Sequence, residues 1–65
     1  MNVLVNNELM IIHDDARVID AVRKYVAGHE AVTLDSVAGV ADQFAHPVGF
    51  HGRLHPGDRI QITFK

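Results

Sequence analysis

The stretch DDARVIDAVRKYVAG, residues 14–28, decides the fold because it contains one complete amphipathic helix. Its apolar side chains recur at positions i, i+3, i+4, i+7 and i+8, which places them on a single stripe of a helix. This spacing predicts a helix over about residues 16–27. The stripe that should face a core consists of Val18, Ala21, Val22, Tyr25 and Val26.

The residues near both ends of this stretch suit helix termini. Asp14 or Asp15 can accept hydrogen bonds from the free N–H groups of the first turn and complement the positive end of the helix dipole. Gly28 can end the helix in a left-handed conformation. Between them, Asp20 and Lys24 have the i, i+4 spacing of a favourable ion pair on the exposed side.

Two short β-type segments precede the helix. They span residues 2–6 and 8–13, and they meet at Asn6-Asn7. Because asparagine tolerates the positive φ angles of tight turns, we predict a β-hairpin here. In its second arm the run LMII, residues 9–12, is apolar at every position, which indicates a strand covered on both faces.

The segments that follow the helix are less regular. Residues 30–34 predict a strand with Val32 and Leu34 directed inward. Residues 35–54 contain several glycines and indicate a long irregular connection, with a short strand near Pro47–Phe50, where proline suits an edge or the first position.

The last part of the chain predicts a turn and a strand. In HPGD, residues 55–58, the proline and glycine at the two central positions favour a type II turn. Ile60, Ile62 and Phe64 then alternate with polar residues, as in a strand with one buried face. The element order is therefore ββαββ, which is typical of an α+β domain with a mixed sheet packed on one main helix. This is the β-grasp (ubiquitin-like) fold class.

Composition narrows the classes of function. The 65 residues make a single domain, 1–65. The absence of cysteine excludes disulfides and thiolate chemistry. A net charge of −2 with scattered basic residues disfavours nucleic-acid binding, which normally shows a concentrated basic patch. No apolar run has the length of a membrane span and no signal-peptide pattern is present, so we expect a cytoplasmic protein without a membrane partner.

Three segments resemble the sulfur-carrier group of ubiquitin-like proteins, which includes the thiamine-biosynthesis carrier (ThiS) and the small subunit of molybdopterin synthase (MoaD). VLVNNE (3–8) resembles the opening strand and its turn, RVIDAVRKY (17–25) the start of the helix, and LHPGDRIQI (54–62) the closing strand. The middle of the chain departs from the pattern: the carriers usually show a Val-Asn-Gly hairpin where this chain has DSVAGVADQFAHPVG (35–49).

The resemblance implies a function in protein binding. The carriers dock onto an adenylating enzyme and onto a sulfur-accepting synthase through the exposed sheet face and the C-terminal strand. By the same resemblance, the partner-binding residues here belong to the closing strand and its neighbouring loop. They are Phe50, Arg53, Arg59, Gln61, Thr63 and Lys65. The expected protein acts through such partners without a catalytic residue or a cofactor of its own.

The end of the sequence leaves two alternatives open. The carriers finish in a flexible diglycine, whose carboxylate is adenylated and then converted to a thiocarboxylate. The sequence here ends Phe64-Lys65, directly after the predicted strand. Either the protein has the carrier fold without carrier chemistry, or it is a genuine sulfur carrier of thiamine or molybdopterin biosynthesis whose gene product continues past Lys65.

A third alternative is a metal- or pH-responsive module built on histidines. His46, His51 and His55 follow one another closely, and imidazoles that converge could hold zinc, copper or nickel. The spacing H-x4-H-x3-H matches no standard signature, so we predict no metal site. The only serine, Ser36, is not in a nucleophile-elbow pattern, and we predict no enzyme activity.

Overall fold

One α-helix packs on a four-stranded mixed sheet in the computed structural model, which describes residues 1–65. The strands lie in the order β2-β1-β4-β3, with β1 and β4 parallel at the centre and the two outer pairs antiparallel. The α+β class with a single helix against a mixed sheet is therefore confirmed. In chain order the elements are β1 (Asn2–Val5), β2 (Glu8–Ile11), α1 (Val18–Ala27), a 3-10 turn (Leu34–Ser36), β3 (Val37–Asp42) and β4 (Arg59–Phe64).

The core between helix and sheet is entirely apolar. The buried stripe of α1 packs on alternate residues of the four strands, as the helical and strand periods predict. Tyr25, Val26 and Phe64 border this core and are only partly buried. The twelve buried residues are Val3, Val5, Met10, Ile12, Ala16, Val18, Ala21, Val22, Val40, Leu54, Ile60 and Ile62.

The start of α1 is held by a distant segment, and the expected cap at Asp14 or Asp15 is wrong. Arg17 is the N-cap residue, and its N–H donates to the Asp20 carboxylate at 2.9 Å. The N–H groups of Val18 and Ile19 donate to the carbonyls of Gly52 and Phe50, at 2.8 and 2.9 Å. Carbonyls of residues 50–52 thus satisfy the helix terminus, so no local aspartate is needed for this.

Two further expectations for the helix are also wrong. Gly28 ends α1 in a right-handed conformation, with φ −89°, because the chain continues into another turn in which His29 N–H donates to the Val26 carbonyl. Asp20 and Lys24 form no ion pair. Asp20 accepts from the N-cap, as described, and the Lys24 ammonium donates to the Ile11 carbonyl at the edge of β2.

The predicted strand at 30–34 is not formed, and the third strand lies further along the chain. Residues 30–34 carry the chain away from the end of α1 through turns and into the 3-10 element, and Leu34 is exposed. The strand forms at β3 instead, where Val40 pairs with Ile62 in the centre of the ladder and both side chains are buried. Near Pro47–Phe50 only one isolated bridge forms, between Pro47 and Ala41.

Both predicted turns are present. Asn6 and Asn7 have φ angles of 51° and 66°, the left-handed pair that a two-residue hairpin requires. Gly57 has φ 84°, which the third position of a type II turn demands. The Asn6 side chain also bonds the backbone of β4: its Oδ1 accepts from Ile62 N–H at 2.7 Å, and its Nδ2 donates to the Ile62 carbonyl at 3.4 Å.

Candidate protein-binding face

The sheet face that lies opposite the helix is the largest surface on which predicted site residues come together. The pairing of the strands determines which residues belong to this face, because side chains of directly paired residues point to the same side of a sheet. Leu4 pairs with Leu9 and with Arg59, and Ala41 pairs with Gln61. We call this surface the outer sheet face, and it consists of Asn2, Leu4, Leu9, Ile11, Gly39, Ala41, Arg59, Gln61 and Thr63.

One side of the outer sheet face is apolar and fully open to solvent. Leu9 is 63% exposed and Ile11 is 69% exposed, so the expectation that β2 is covered on both faces is wrong. The physical reason is that the chain has a single α-helix, which covers only the other face of the sheet. Leu4, on the neighbouring strand, is half-buried and extends the patch toward the centre of the sheet.

The other side of the outer sheet face carries the polar row of β4. Arg59, Gln61 and Thr63 are all exposed, as the alternation of β4 predicts. Arg59 forms no ion pair within the chain, so its charge is available to a partner. A concavity of about 360 Å³ opens between Leu4, Ala41 and Arg59 at the end of the face.

The remaining predicted site residues lie elsewhere. Arg53 borders a second groove, of about 210 Å³, together with Arg59, Phe44 and Val48. Phe50 lies at the start of α1, where its carbonyl accepts from the helix. Lys65 follows the end of β4, and its N–H donates to the Ser36 carbonyl at 2.7 Å. The structure thus places Arg53 in a groove shared with Arg59, and Lys65 two positions after Thr63, at the end of the polar row, while Phe50 lies apart from them at the start of α1.

A tight turn after β3 presents Phe44 to solvent, with 68% of its surface exposed. The Asp42 carboxylate organises this turn, because its Oδ1 accepts the N–H groups of Phe44 and His46, each at 2.9 Å. The hydrogen bond from the His46 backbone is the largest cause that lowers the pKa of Asp42 below its ordinary value of 3.8, and the bond from Phe44 adds to it. Ala45 has φ 64°, which closes the turn.

We expect this turn to loosen in acid. Because the folded pKa of Asp42 is lowered, its stabilising contribution is complete above the unfolded pKa and is lost as the pH falls through the folded pKa. In an NMR titration, the amide protons of Phe44 and His46 should follow the Asp42 carboxyl with a midpoint below 3.8. Asp42→Asn keeps an acceptor oxygen without a charge, so the two amides should lose this titration. A shared midpoint at or above the ordinary value would contradict this assignment.

Four of the five histidines lie beside separate carboxylates, and His51 has none within 4.0 Å. His29 Nε2 is 3.0 Å from Glu8, and His55 Nδ1 is 3.6 Å from Asp58. His46 Nδ1 is 4.0 Å from Asp42 Oδ2. No group of three histidine or carboxylate side chains is placed to hold a metal ion. The convergence that the histidine alternative requires is therefore not present.

Sequence reasoning missed the two apolar residues that dominate the outer sheet face. The signal was present, since Leu9 and Ile11 occupy alternate positions of a predicted strand. One helix is enough to cover only one face of a sheet, so an apolar face without a second helix had to be exposed. Phe44 carried a weaker signal, because it lies in the irregular segment between two turn-forming groups of residues.

Comparisons with known proteins identify no relative of this chain. No family model matches it, and neither the curated proteins nor the solved structures contain a significant match. None of the helices is both long and apolar enough to cross a lipid bilayer.

Proposed function

We propose that this chain is a β-grasp domain related to the sulfur carriers and that it functions by binding another protein. The strand order β2-β1-β4-β3 supports the fold assignment, as does the parallel pairing of the first and last strands beside a single crossing helix. The three segments that resemble the carriers contain the hairpin turn, most of α1 and most of β4. On this proposal the domain has no catalytic chemistry of its own.

The observation that carries the function is the exposure of Leu9 and Ile11 beside the polar row of β4. Full burial of one such aliphatic side chain is worth about 1.5–3 kcal/mol relative to leaving it exposed. Two of them at one side of the face, separated from the unpaired charge of Arg59 only by Leu4, form an apolar patch that is flanked by a polar row. Protein interfaces have this composition, and their apolar anchors carry most of the binding energy.

The resemblance specifies the kind of partner. In the carriers the exposed sheet face docks onto an adenylating enzyme or a sulfur-accepting synthase, and the same face is the one that is open here. A complementary partner would present apolar side chains to Leu9 and Ile11 and a carboxylate to Arg59. We therefore propose the adenylating enzyme that activates such carriers, called the carrier-activating enzyme below, as the first partner to test.

A titration with the purified carrier-activating enzyme of the same host tests this function. NMR signals of the outer sheet face should shift or broaden, and Leu9→Ser or Ile11→Ser should weaken binding by roughly 10-fold or more, as expected for interface anchors. Leu34→Ser is the matched control, because Leu34 is an exposed aliphatic residue outside the sheet, and it should leave affinity unchanged. Equal losses in all three variants, or no binding by the parent, would refute the proposal.

A further inference from the structure

We propose that β2 is the interface of a two-fold symmetric dimer, in which the β2 strand of a second copy pairs antiparallel with it. This inference goes beyond the docking function proposed above and concerns the protein alone. It rests on unpaired peptide groups, on the partial pairing and irregularity of the opposite sheet edge and on the distribution of charge along β2.

The free edge of β2 presents unpaired peptide groups. Ile12 N–H donates to the Met1 carbonyl at 2.9 Å, and the Met1 amino group donates back to the Ile12 carbonyl, so this pair is hydrogen-bonded. Bonded and non-bonded pairs alternate along an antiparallel ladder, which makes Leu9 and Ile11 the non-bonded positions of β2. Their N–H and C=O groups therefore point away from β1. The Lys24 ammonium is the one group that bonds there, on the Ile11 carbonyl.

The opposite edge of the sheet is paired over half of its length and irregular over the rest. Along β3, Asp42 N–H donates to the His46 carbonyl and Val48 N–H donates to the Val40 carbonyl, both at 2.9 Å. Residues 46–48 thus occupy half of that edge, and the register shift between Val37 and Gly39 interrupts the other half. The edge of β2 is therefore the one regular open edge of the sheet. Once it is paired with a second copy, no regular edge is left, so the assembly closes as a dimer rather than growing into a fibre.

One register of self-pairing uses every outward peptide group. With the two-fold axis at Met10, Leu9 of each copy pairs with Ile11 of the other, and each of these pairs exchanges two hydrogen bonds. The same register places the exposed side chains of Leu9 and Ile11 beside their counterparts on the outer sheet face. These cross-strand aliphatic pairs bury surface that the single chain leaves in water.

Charge favours the antiparallel direction. Glu8 lies at the start of β2 and is on the helix side, because it pairs with buried Val5. One of its carboxylate oxygens is 3.0 Å from His29 Nε2, which leaves the other oxygen for a partner. Lys24 reaches the other end of the same strand from α1. Antiparallel pairing reverses the two ends, so Glu8 of each copy meets Lys24 of the other, and two opposite-charge pairs flank the joined strands. Parallel pairing would place Glu8 beside Glu8.

The dimer should be weak. A strand of four residues buries less than the ~1,200 Å² at which standard interfaces begin. In the single chain, the Lys24 side chain also covers the edge of β2, and lysines at sheet edges commonly prevent strand pairing. To form the dimer, Lys24 must leave the Ile11 carbonyl and contact Glu8 of the second copy. We therefore expect dimers at roughly 1 mM protein and monomers at about 10 μM.

Sedimentation equilibrium of the whole chain across this concentration range tests the inference. Glu8→Lys alone and Lys24→Glu alone each create two like-charge contacts and should weaken association by about 10-fold. An equimolar mixture of the two variants should associate at least as well as the parent, because each contact then joins a lysine to a glutamate. Circular dichroism of both variants controls for folding, and contacts between Leu9 and Ile11 of different copies should appear in NMR spectra of a mixed-label sample.

Several outcomes would overturn the inference. The parent chain could remain monomeric at about 1 mM, or its association could be unaffected by both single variants. If Lys24→Glu associated more tightly than the parent, Lys24 would only hinder strand pairing at the edge of β2 and would not contact Glu8 of the second copy. A mixture that associates no better than its components would exclude the Glu8–Lys24 contacts. None of these results depends on the carrier-activating enzyme, so they are distinct from a failure of the docking function.

Discussion

Val22→Asp is expected to unfold the protein at 25 °C. Val22 is 0% exposed and lies in the centre of the buried stripe of α1, with the strands beneath it. An unpaired charge at such a position costs about 3–5 kcal/mol, since no buried polar group is available to pair with it. At roughly 0.05–0.15 kcal/mol per residue, a chain of this length has only about 3–10 kcal/mol of stability to lose.

Thermal melting followed by far-ultraviolet circular dichroism measures this effect. The variant should show no cooperative transition, while the parent melts in one step. Arg23→Asp is the control, because it places the same side chain at the adjacent, exposed position of the helix. If Val22→Asp melts within a few degrees of Arg23→Asp, the buried stripe of α1 is misassigned.

Asn6→Ala is expected to lower the free energy of unfolding by about 2–3 kcal/mol. The first of two causes is the loss of both side-chain hydrogen bonds to Ile62, each worth about 1 kcal/mol when well aligned. In addition, alanine at a φ of 51° is strained by roughly 1 kcal/mol.

Glycine separates these two causes. Asn6→Gly retains the left-handed conformation and loses only the bonds to β4, so it should cost about 1–2 kcal/mol. Asn7→Gly, at the other left-handed position of the same turn, should change stability by less than about 0.5 kcal/mol. Urea denaturation measures all three variants. Equal costs for Asn6→Gly and Asn7→Gly would show that the bonds to Ile62 contribute nothing.

Features that depend on local spacing could be predicted from the sequence. The helix was visible because its apolar residues repeat with a period near 3.6, and the two turns were visible in Asn6-Asn7 and Pro56-Gly57. The exposed positions of Arg59, Gln61 and Thr63 followed from the alternation of β4. Each of these features is encoded within a few residues, so a single sequence is sufficient.

Features that depend on distant residues could not be predicted. The helix start was misplaced because carbonyls of residues 50–52 replace a local cap, and no pattern near Arg17 reports them. The third strand was misplaced because β3 is selected by its fit to β4 and not by its own composition. The exposure of Leu9 and Ile11 is a different case, because it could have been inferred from the single predicted helix, which leaves one face of the sheet uncovered.

The parallel pair at the centre of the sheet has a consequence for the folding rate. Asn6 and Ile62, which bond through the Asn6 side chain, are 56 positions apart in the chain. Almost the entire polypeptide must therefore be closed into one loop before β1 and β4 form their first hydrogen bond. The conformational entropy of this loop is lost before any contact between the two strands can compensate for it. The helix and the β1–β2 hairpin can form earlier, but the complete sheet on which the helix packs forms only when β4 pairs with β1. We expect a high relative contact order and folding in the millisecond range or slower, despite the small size of the domain.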